Sequence, residues 1–298
     1  MRSMNRRPKK TELTIIILTY NSAKEIGACL DSIYKYYSTK IKSRDWELVV
    51  VDNASQDQTL KVVRGKIYPE IRIRENKKNL GFAAANNLAA RKAGGEYLLF
   101  LNPDTVVESN SISLPLEYLR AHPDVGALTV KILLGNGILD STCHRGFPTP
   151  WNALCYFSGL TKLFPKSRLF AGYVLGHLDL DTPHEVDAIN GAYFMLSKKL
   201  GGMLGWFDEE FYWKGEDLDL CFRIKERGYK IMYLPQARIH HFKGSSQGHR
   251  LGSRTLEARF AVMKLFYDKH YRQRYPGIVR LLVMTGISLR KGLVYLGI

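Results

Sequence analysis

Three clusters of residues carry the groups best suited to chemistry. Asn102-Pro103-Asp104 directly follows the apolar run 97–101, Glu216-Asp217 opens a helical pattern, and His240-His241 lies further downstream. Carboxylates and an imidazole are groups that hold a hard divalent ion or accept a proton. More than a hundred residues separate the first cluster from the second, so only a folded scaffold brings them into one cleft. The chemistry such a set supports is the handling of a metal-bound diphosphate.

The elements that position these residues are legible in the hydropathy pattern. Residues 13–18 form a β-branched run flanked by polar residues, as expected of a strand buried on both faces. Ser22 is the expected cap of the following helix, with Glu25 at the capping-box position and Ile26, Leu30, Ile33 and Tyr37 as its apolar stripe. A second strand at 47–51 ends at Asp52-Asn53, followed by a helix through Leu60, Val63 and Ile67 and a short strand at 71–74. The loop Asn79-Leu80-Gly81-Phe82 leads into an Ala-rich helix at 83–93 and a fourth strand at 97–101. This alternation predicts βαβ units, a parallel sheet and an α/β fold. Ligands of such sheets bind beyond the C-terminal strand ends. Here those ends are Thr19-Tyr20-Asn21, Asp52-Asn53, Asn79 with Gly81, and Asn102-Pro103-Asp104, the polar pattern of a nucleotide crevice.

Residues 131–185 are rich in Gly and Pro and show only short apolar runs. Residues 186–197 read as a buried strand or strand pair interrupted by Asn190-Gly191. A helix is expected at 216–227 with Gly228 as its stop, then a strand at 229–234 ended by Pro235. Residues 254–271 form an amphipathic pattern with Leu256, Phe260, Met263 and Tyr267 in line.

With 298 residues, 45% of them hydrophobic, the chain is large enough to bury a substantial core. Its net charge of +16 is unevenly placed: residues 1–10 carry +5, residues 242–298 carry +9, and everything between carries +2. Basic ends suit nucleic acid, an anionic membrane surface or plain solvation. No zinc-finger spacing, RNP-type signature or helix-turn-helix pattern accompanies the charge, which disfavours nucleic acid. The four cysteines lack any CxxC pair, and Cys29 and Cys221 sit in apolar helical patterns, as reduced core thiols do. With no signal-peptide pattern at the start, a reducing, cytoplasmic location is expected.

Thr19-Tyr20-Asn21, the stretch 51–59 (Val-Asp-Asn-Ala-Ser-Gln-Asp-Gln-Thr), Asn79-Leu80-Gly81-Phe82, Asn102-Pro103-Asp104 and the Glu216-Asp217 to His241 segment together resemble the inverting family 2 glycosyltransferases of the GT-A fold. The similarity covers roughly residues 12–245. Residues 191–196, 205–209 and 216–221 look most like the bacterial rhamnosyltransferase branch. The resemblance implies a Rossmann-like, mostly parallel sheet flanked by helices. It divides the chain into a basic tail at 1–11, a catalytic domain at 12–245 and a basic helical extension at 246–298.

The resemblance also implies roles. Asp104 stands where the last acid of the family's Asp-x-Asp motif binds Mg²⁺ or Mn²⁺, and Asn102 replaces the first acid, leaving less charge for the ion and the ribose. A hard ion held chiefly through substrate phosphates needs only one or two protein carboxylates. Taken alone, Asn-Pro-Asp is also an ordinary turn. His241 matches a metal-binding imidazole of several relatives, and strand alternation sends His240 to the opposite face. Asp217 matches the general base that deprotonates an acceptor hydroxyl; Glu216 and Asp219 either position the acceptor or cap the helix. For the nucleotide-sugar, Thr19, Tyr20, Asn21, Asp52, Asn79, Gly81, Asn102 and Asp104 line the expected site. Tyr20 is placed to stack on the base, Asp52 to accept from its imide N–H, and the Asn79–Gly81 loop to admit the ribose. Asn21 and Asp57 serve equally well as turn-shaping Asx residues. Trp206, Phe211, Tyr212 and Trp213 are either a sugar platform or core packing.

Residues 278–298 are apolar but broken by Arg280, Arg290 and Lys291, and so fall short of a spanning helix. They read either as a segment lying in an anionic membrane interface or as a helix packed on the protein or on a homodimer partner. The expected activity is metal-dependent, inverting sugar transfer, from dTDP-L-rhamnose first or a UDP-hexose next, to a cell-surface polysaccharide or polyprenyl-linked acceptor at the inner face of the membrane. Two other classes stay open. A nucleotidyltransferase wants a Gly-rich basic loop after the first strand, which Thr19-Tyr20-Asn21-Ser22-Ala23 lacks. A non-catalytic polysaccharide- or nucleic-acid-binding protein leaves the Glu-Asp and His placement unexplained.

Overall fold

A computed structural model of the protein describes residues 10–212, 214–242 and 253–295. Most of the basic tail at 1–11, Trp213, the side chain of Leu256, the boundary drawn at 245/246 and residues 296–298 lie outside the described residues.

Four strands open the chain: β1 (Leu13–Thr19), β2 (Trp46–Asp52), β3 (Arg72–Glu75) and β4 (Tyr97–Leu101). They lie parallel in the order β3-β2-β1-β4 and are joined through helices α1 (Ile26–Lys42), α2 (Thr59–Gly65) and α3 (Phe82–Lys92). Every residue of β2 and nearly every residue of β1 is buried, because helices cover both faces and leave no solvent side on which polar residues alternate. Two local expectations give way. Helix α1 begins at Ile26 without a side-chain cap: the Ser22 N–H is taken by Thr59 Oγ1 at 2.8 Å, and its carbonyl accepts from Glu25 and Ile26. Helix α2 stops at Gly65, where Lys66 turns extended, and Ile67 is left exposed.

The sheet then changes character. After β5 (Thr105–Val107), α4 (Ser113–Ala121) and β6 (Val125–Leu134), the chain passes through α5 (Pro150–Phe157), α6 (Leu160–Leu163) and the short β7 (His184–Glu185). Strand β8 (Tyr193–Ser197) inserts antiparallel between β4 and β6. Helices α7 (Lys198–Leu204) and α8 (Glu216–Glu226) precede β9 (Lys230–His241). Among the described residues this makes a nine-stranded sheet with the path β3-β2-β1-β4-β8-β6-β9-β5, and β7 pairs with β9. Pro235 does not end β9 as expected. The strand continues past it because residues 235–237 form an irregularity, with Val130 opposite Leu234 and Lys131 opposite Arg238; Pro is tolerated where it owes the ladder no hydrogen bond.

Two helices close the described chain. Helix α9 (Ser253–His270) lies over α8: Phe266 and Tyr271 meet Phe222 edge-on, and His270 Nε2 sits 2.8 Å from Asp219 Oδ1. Helix α10 (Gly277–Tyr295) buries none of its residues. Among the described residues no helix is long and apolar enough to cross a membrane.

Candidate active site

The pairing of β5 with the far end of β9 sets Thr105 opposite His241, and the Asp104 carbonyl accepts the Phe242 N–H at 2.8 Å. That register carries Asp104 to His241 across a long sequence gap. His241 Nε2 lies 3.1 Å from Asp104 Oδ1, and Nδ1 lies 3.4 Å from Asp140 Oδ2. His240 faces the other way, toward Glu108 Oε1 at 3.1 Å. Burial alone lowers the affinity of His241 for a proton, but the Asp104 and Asp140 carboxylates outweigh it and hold the pKa up at about 9. Asp104 Oδ1 is buried and has no hydrogen-bond partner, although His241 Nε2 lies 3.1 Å away. An anionic oxygen left in that state is a fitting ligand for a cation. Among the described residues no three His, Cys, Asp or Glu side chains form a metal cage on their own. Asp104 therefore fits an ion that draws its remaining ligands from a substrate's phosphates and water, with His241 able to join once the ion displaces its proton.

The second cluster forms where Gly215, at φ 96°, turns the chain into α8. Asp217 Oδ1 accepts its neighbour's N–H from Leu218 at 2.7 Å, and Oδ2 accepts from Gly191 N–H at 3.3 Å and Arg145 Nη2 at 3.2 Å. Arg145 is buried, which disfavours its charge, but the Asp217 carboxylate more than compensates and keeps the guanidinium firmly protonated. Arg145 is held in place by a bridge to Ala188, whose N–H donates to the Arg145 carbonyl at 2.9 Å. Glu216 is buried beside it with Oε2 unpartnered; burial first, then the Asp217 charge, pushes its pKa up to about 8. With its pKa raised, the Glu216 carboxyl favours its protonated form. Asp219, by contrast, is engaged by Arg223 Nε at 2.7 Å and by His270, tying α8 to α9.

The two clusters belong to one continuous set of contacts. Asn190 Nδ2 reaches Thr142 Oγ1 at 2.7 Å and Asp140 Oδ2 at 3.4 Å, and the next residue, Gly191, donates to Asp217. The backbone of Asn102 joins in by donating to the Ala192 carbonyl at 3.1 Å. Gly191 admits no side chain, because a Cβ there would come within 2.9 Å of the Phe82 ring.

Comparison with known proteins agrees with this architecture. The pattern of glycosyl transferase family 2 matches residues 14–173, more than half of the chain. The chain belongs to glycosyl transferase family 2. It is 23% identical over 269 residues to N-acetylglucosaminyl-diphospho-decaprenol L-rhamnosyltransferase of Mycobacterium tuberculosis, covering 87% of this chain and 85% of that protein. It is 28% identical over 203 residues to the O-antigen biosynthesis protein RfbC of Myxococcus xanthus, covering 67% of this chain but only 15% of that protein. Among solved structures, GalNAc-T7 with UDP, GalNAc and Mn²⁺ superposes with a TM-score of 0.62 at 17% identity, covering 87% of this chain and 48% of that one. The fold is the GT-A fold, a mixed α/β architecture with a largely parallel central sheet.

At the other end of this family 2 site, the strand-end residues are occupied with one another. Asp52 Oδ1 accepts from Thr19 Oγ1 at 3.0 Å and Ser55 Oγ at 2.6 Å, and Oδ2 accepts from Ser55 N–H at 2.9 Å. Asn21, at φ 51°, accepts from Gln56 N–H, and Asp57 accepts from Ala23 and Thr59. Asn21 and Asp57 therefore shape the turns; Tyr20 remains half exposed. Asn53, expected at a strand end but with no individual role, is the hub: its Nδ2 reaches Asn79 Oδ1 at 2.8 Å, and its Oδ1 accepts from Leu80 N–H and Asn76 Nδ2, each at 3.0 Å. Gly81, at φ 79°, lies so close to Tyr212 that a Cβ would come within 2.9 Å of the Tyr212 carbonyl. Tyr212 is exposed there, whereas Trp206 and Phe211 are buried core. Arg145, Asp140 and Asn190 were also missed, since all lie in or beside stretches without periodicity.

Proposed function

We propose that the protein is a metal-dependent, inverting glycosyltransferase that moves L-rhamnose from dTDP-L-rhamnose, or else a hexose from a UDP-sugar, to a hydroxyl of a lipid-linked glycan or cell-surface polysaccharide acceptor. The observation that carries this reading is the continuity of Asp104–His241 with Asp217–Arg145 through Asn190-Gly191. Family 2 membership weighs against a nucleotidyltransferase or a mere binding protein. The mycobacterial rhamnosyltransferase, matched over 85% of its length, supports the choice of sugar and of acceptor class. RfbC, spanned over 15% of its length, does not bear on the activity of a whole protein.

In this mechanism Asp217, oriented by Arg145 and the Gly191 N–H, takes the proton of the acceptor hydroxyl as it attacks the anomeric carbon. The acceptor approaches opposite the leaving diphosphate, so the centre inverts. Glu216, in its protonated form, keeps a second negative charge away from Asp217. Thr19, Asn21, Asp52, Asn53 and Asn79 preform the loops that receive the nucleoside, with Tyr20 and Tyr212 exposed beside them. Asp104 and His241 would hold a Mg²⁺ or Mn²⁺ ion, which would supply positive charge to the departing diphosphate. The enzyme would act at the inner face of the cell membrane, with α10 lying against anionic lipid.

Thermal-shift titration with a panel of nucleotide sugars, with and without Mn²⁺, tests the reading. The expected result is stabilisation by dTDP- or UDP-sugars that Mn²⁺ strengthens and that Asp104→Asn weakens. Stabilisation by a glycan polymer alone, with no response to any nucleotide, would defeat it.

A further inference from the structure

We infer that the segment 141–178, carrying α5 and α6, forms together with α10 one docking surface for anionic lipid, placed at the acceptor end of the site. The inference extends the reading of a lipid-linked acceptor and rests on it for its purpose, though not for its evidence.

The segment is a built unit. Cys155, Thr161 and Ala171 are buried inside it, Trp151 Nε1 donates to the Leu169 carbonyl at 2.9 Å, and Thr161 Oγ1 donates to the Phe170 carbonyl at 2.7 Å. Its outer side is nevertheless apolar: Leu154, Leu163 and Leu169 are 56%, 69% and 59% exposed, with Trp151, Phe157 and Phe164 nearly half exposed among them. Monomeric proteins rarely leave such a contiguous patch facing water. Helix α10 continues it, with Leu281, Leu282 and Leu289 each more than 60% exposed. The Arg290 guanidinium, 5.9 Å from the Phe157 ring, joins the two regions.

Charge decides what covers this surface. Residues 141–178 contain no Asp or Glu, and neither does α10. Lys162, Lys166, Arg168 and Arg290 are exposed along it, while Arg280 and Lys291 are paired with Asp268 and Glu257 of α9. A second copy docking through the same face about a two-fold axis would set these cations against one another. Lipid phosphates supply the opposite charge, and acyl chains accept the leucines and aromatic rings. The location is also apt. Arg145, the partner of Asp217, lies in this same segment, and Phe147 anchors it to α8 by a ring contact with Phe222 at 4.9 Å. A headgroup held under α5 and α6 would thus present its glycan to the proton acceptor.

The test is co-sedimentation of the full-length protein with vesicles of phosphatidylcholine alone or mixed with phosphatidylglycerol. Wild type should pellet with the anionic vesicles and be released by high salt. L154S/L163S/L169S should lower the apparent affinity on the order of tenfold or more, with its far-UV circular dichroism unchanged. A second variant, K162E/K166E/R168E, leaves every apolar contact intact and should lose the preference for phosphatidylglycerol. Equal pelleting of wild type and both variants would overturn the inference. So would a concentration-dependent dimer that the leucine variant dissolves, since a second copy would then be the occupant. Donor turnover toward a water-soluble acceptor, measured on the same samples, separates the two readings. Vesicle binding without any turnover defeats the glycosyltransferase mechanism and leaves the docking surface standing, and the reverse result defeats only the surface.

Discussion

The two ends of the site solve the problem of buried charge in opposite ways. At the β5–β9 end, two carboxylates flank one imidazole, and the Asp104 oxygen facing it still lacks a hydrogen bond. Acid is in excess there, which is how a protein leaves room for a cation that arrives with its substrate. At the start of α8 one carboxylate meets one guanidinium, and burial disfavours charge on the second carboxyl. Charge there is balanced within the protein by an ion pair and is not left open for an incoming ion. The difference teaches that a buried acidic oxygen is left open at the Asp104 end, whereas the charges at the Asp217 end pair within the protein.

The largest effect expected from that contrast belongs to Asp217. Asp217→Asn keeps the size of the side chain and an oxygen for the Gly191 N–H, but removes proton acceptance. Transfer should fall by roughly 10²- to 10⁴-fold while donor affinity, read by thermal shift, stays within a factor of about two. Near-normal turnover would mean that another group takes the acceptor proton.

The sequence disclosed the two ends unequally, for physical reasons. Strands β1, β2 and β4 are mostly apolar and buried because both faces are covered, so the polar residues at their C-terminal ends stood out as ligand-facing positions. The opposite facing of His240 and His241 followed from the two-residue period of a strand, and the structure shows that facing. Arg145 gave no such signal. It sits in a Gly- and Pro-rich stretch without periodicity, and its meeting with Asp217 depends on a bridge to Ala188 that no local pattern encodes. Asp140 is likewise brought to His241 by long-range pairing of β6 with β9. Pro235 misled for the converse reason: a local rule ended the strand, whereas the sheet absorbed the proline in an irregularity. Local pattern thus reported what lies along each strand, and pairing across the sheet decided what stands beside what.

A smaller effect should sharpen the picture of the closed end. Arg145→Lys preserves the charge but loses the planar guanidinium, whose Nη2 reaches Asp217 while the backbone stays bridged to Ala188. Asp217 would then be paired but less firmly oriented. Steady-state kinetics should show kcat reduced about tenfold with the donor KM little changed, because a misaligned proton acceptor slows transfer without touching nucleotide binding. A rise in donor KM at constant kcat would instead place Arg145 in the donor site and dissolve the distinction between the two ends.

A last expected change is in stability rather than in turnover, and it concerns Glu216. Burial, reinforced by the Asp217 charge, raises its pKa in the folded protein from 4.5 to about 8. The unfolded chain therefore releases that proton at lower pH than the folded one does, and across the interval the native state binds more protons. Stability falls with rising pH under that condition. The contribution of Glu216 is fully present below about 4.5 and is lost by the time pH passes about 8, a total on the order of a few kcal/mol. Glu216→Gln cannot ionise, so its denaturation free energy should decline less between those limits than that of wild type, and the two curves should diverge most on the alkaline side. Urea titrations at a series of pH values would measure this directly. Parallel curves would show that Glu216 is ionised in the native protein, and the start of α8 would then hold two negative charges against one guanidinium, an acid-rich end like the one around Asp104.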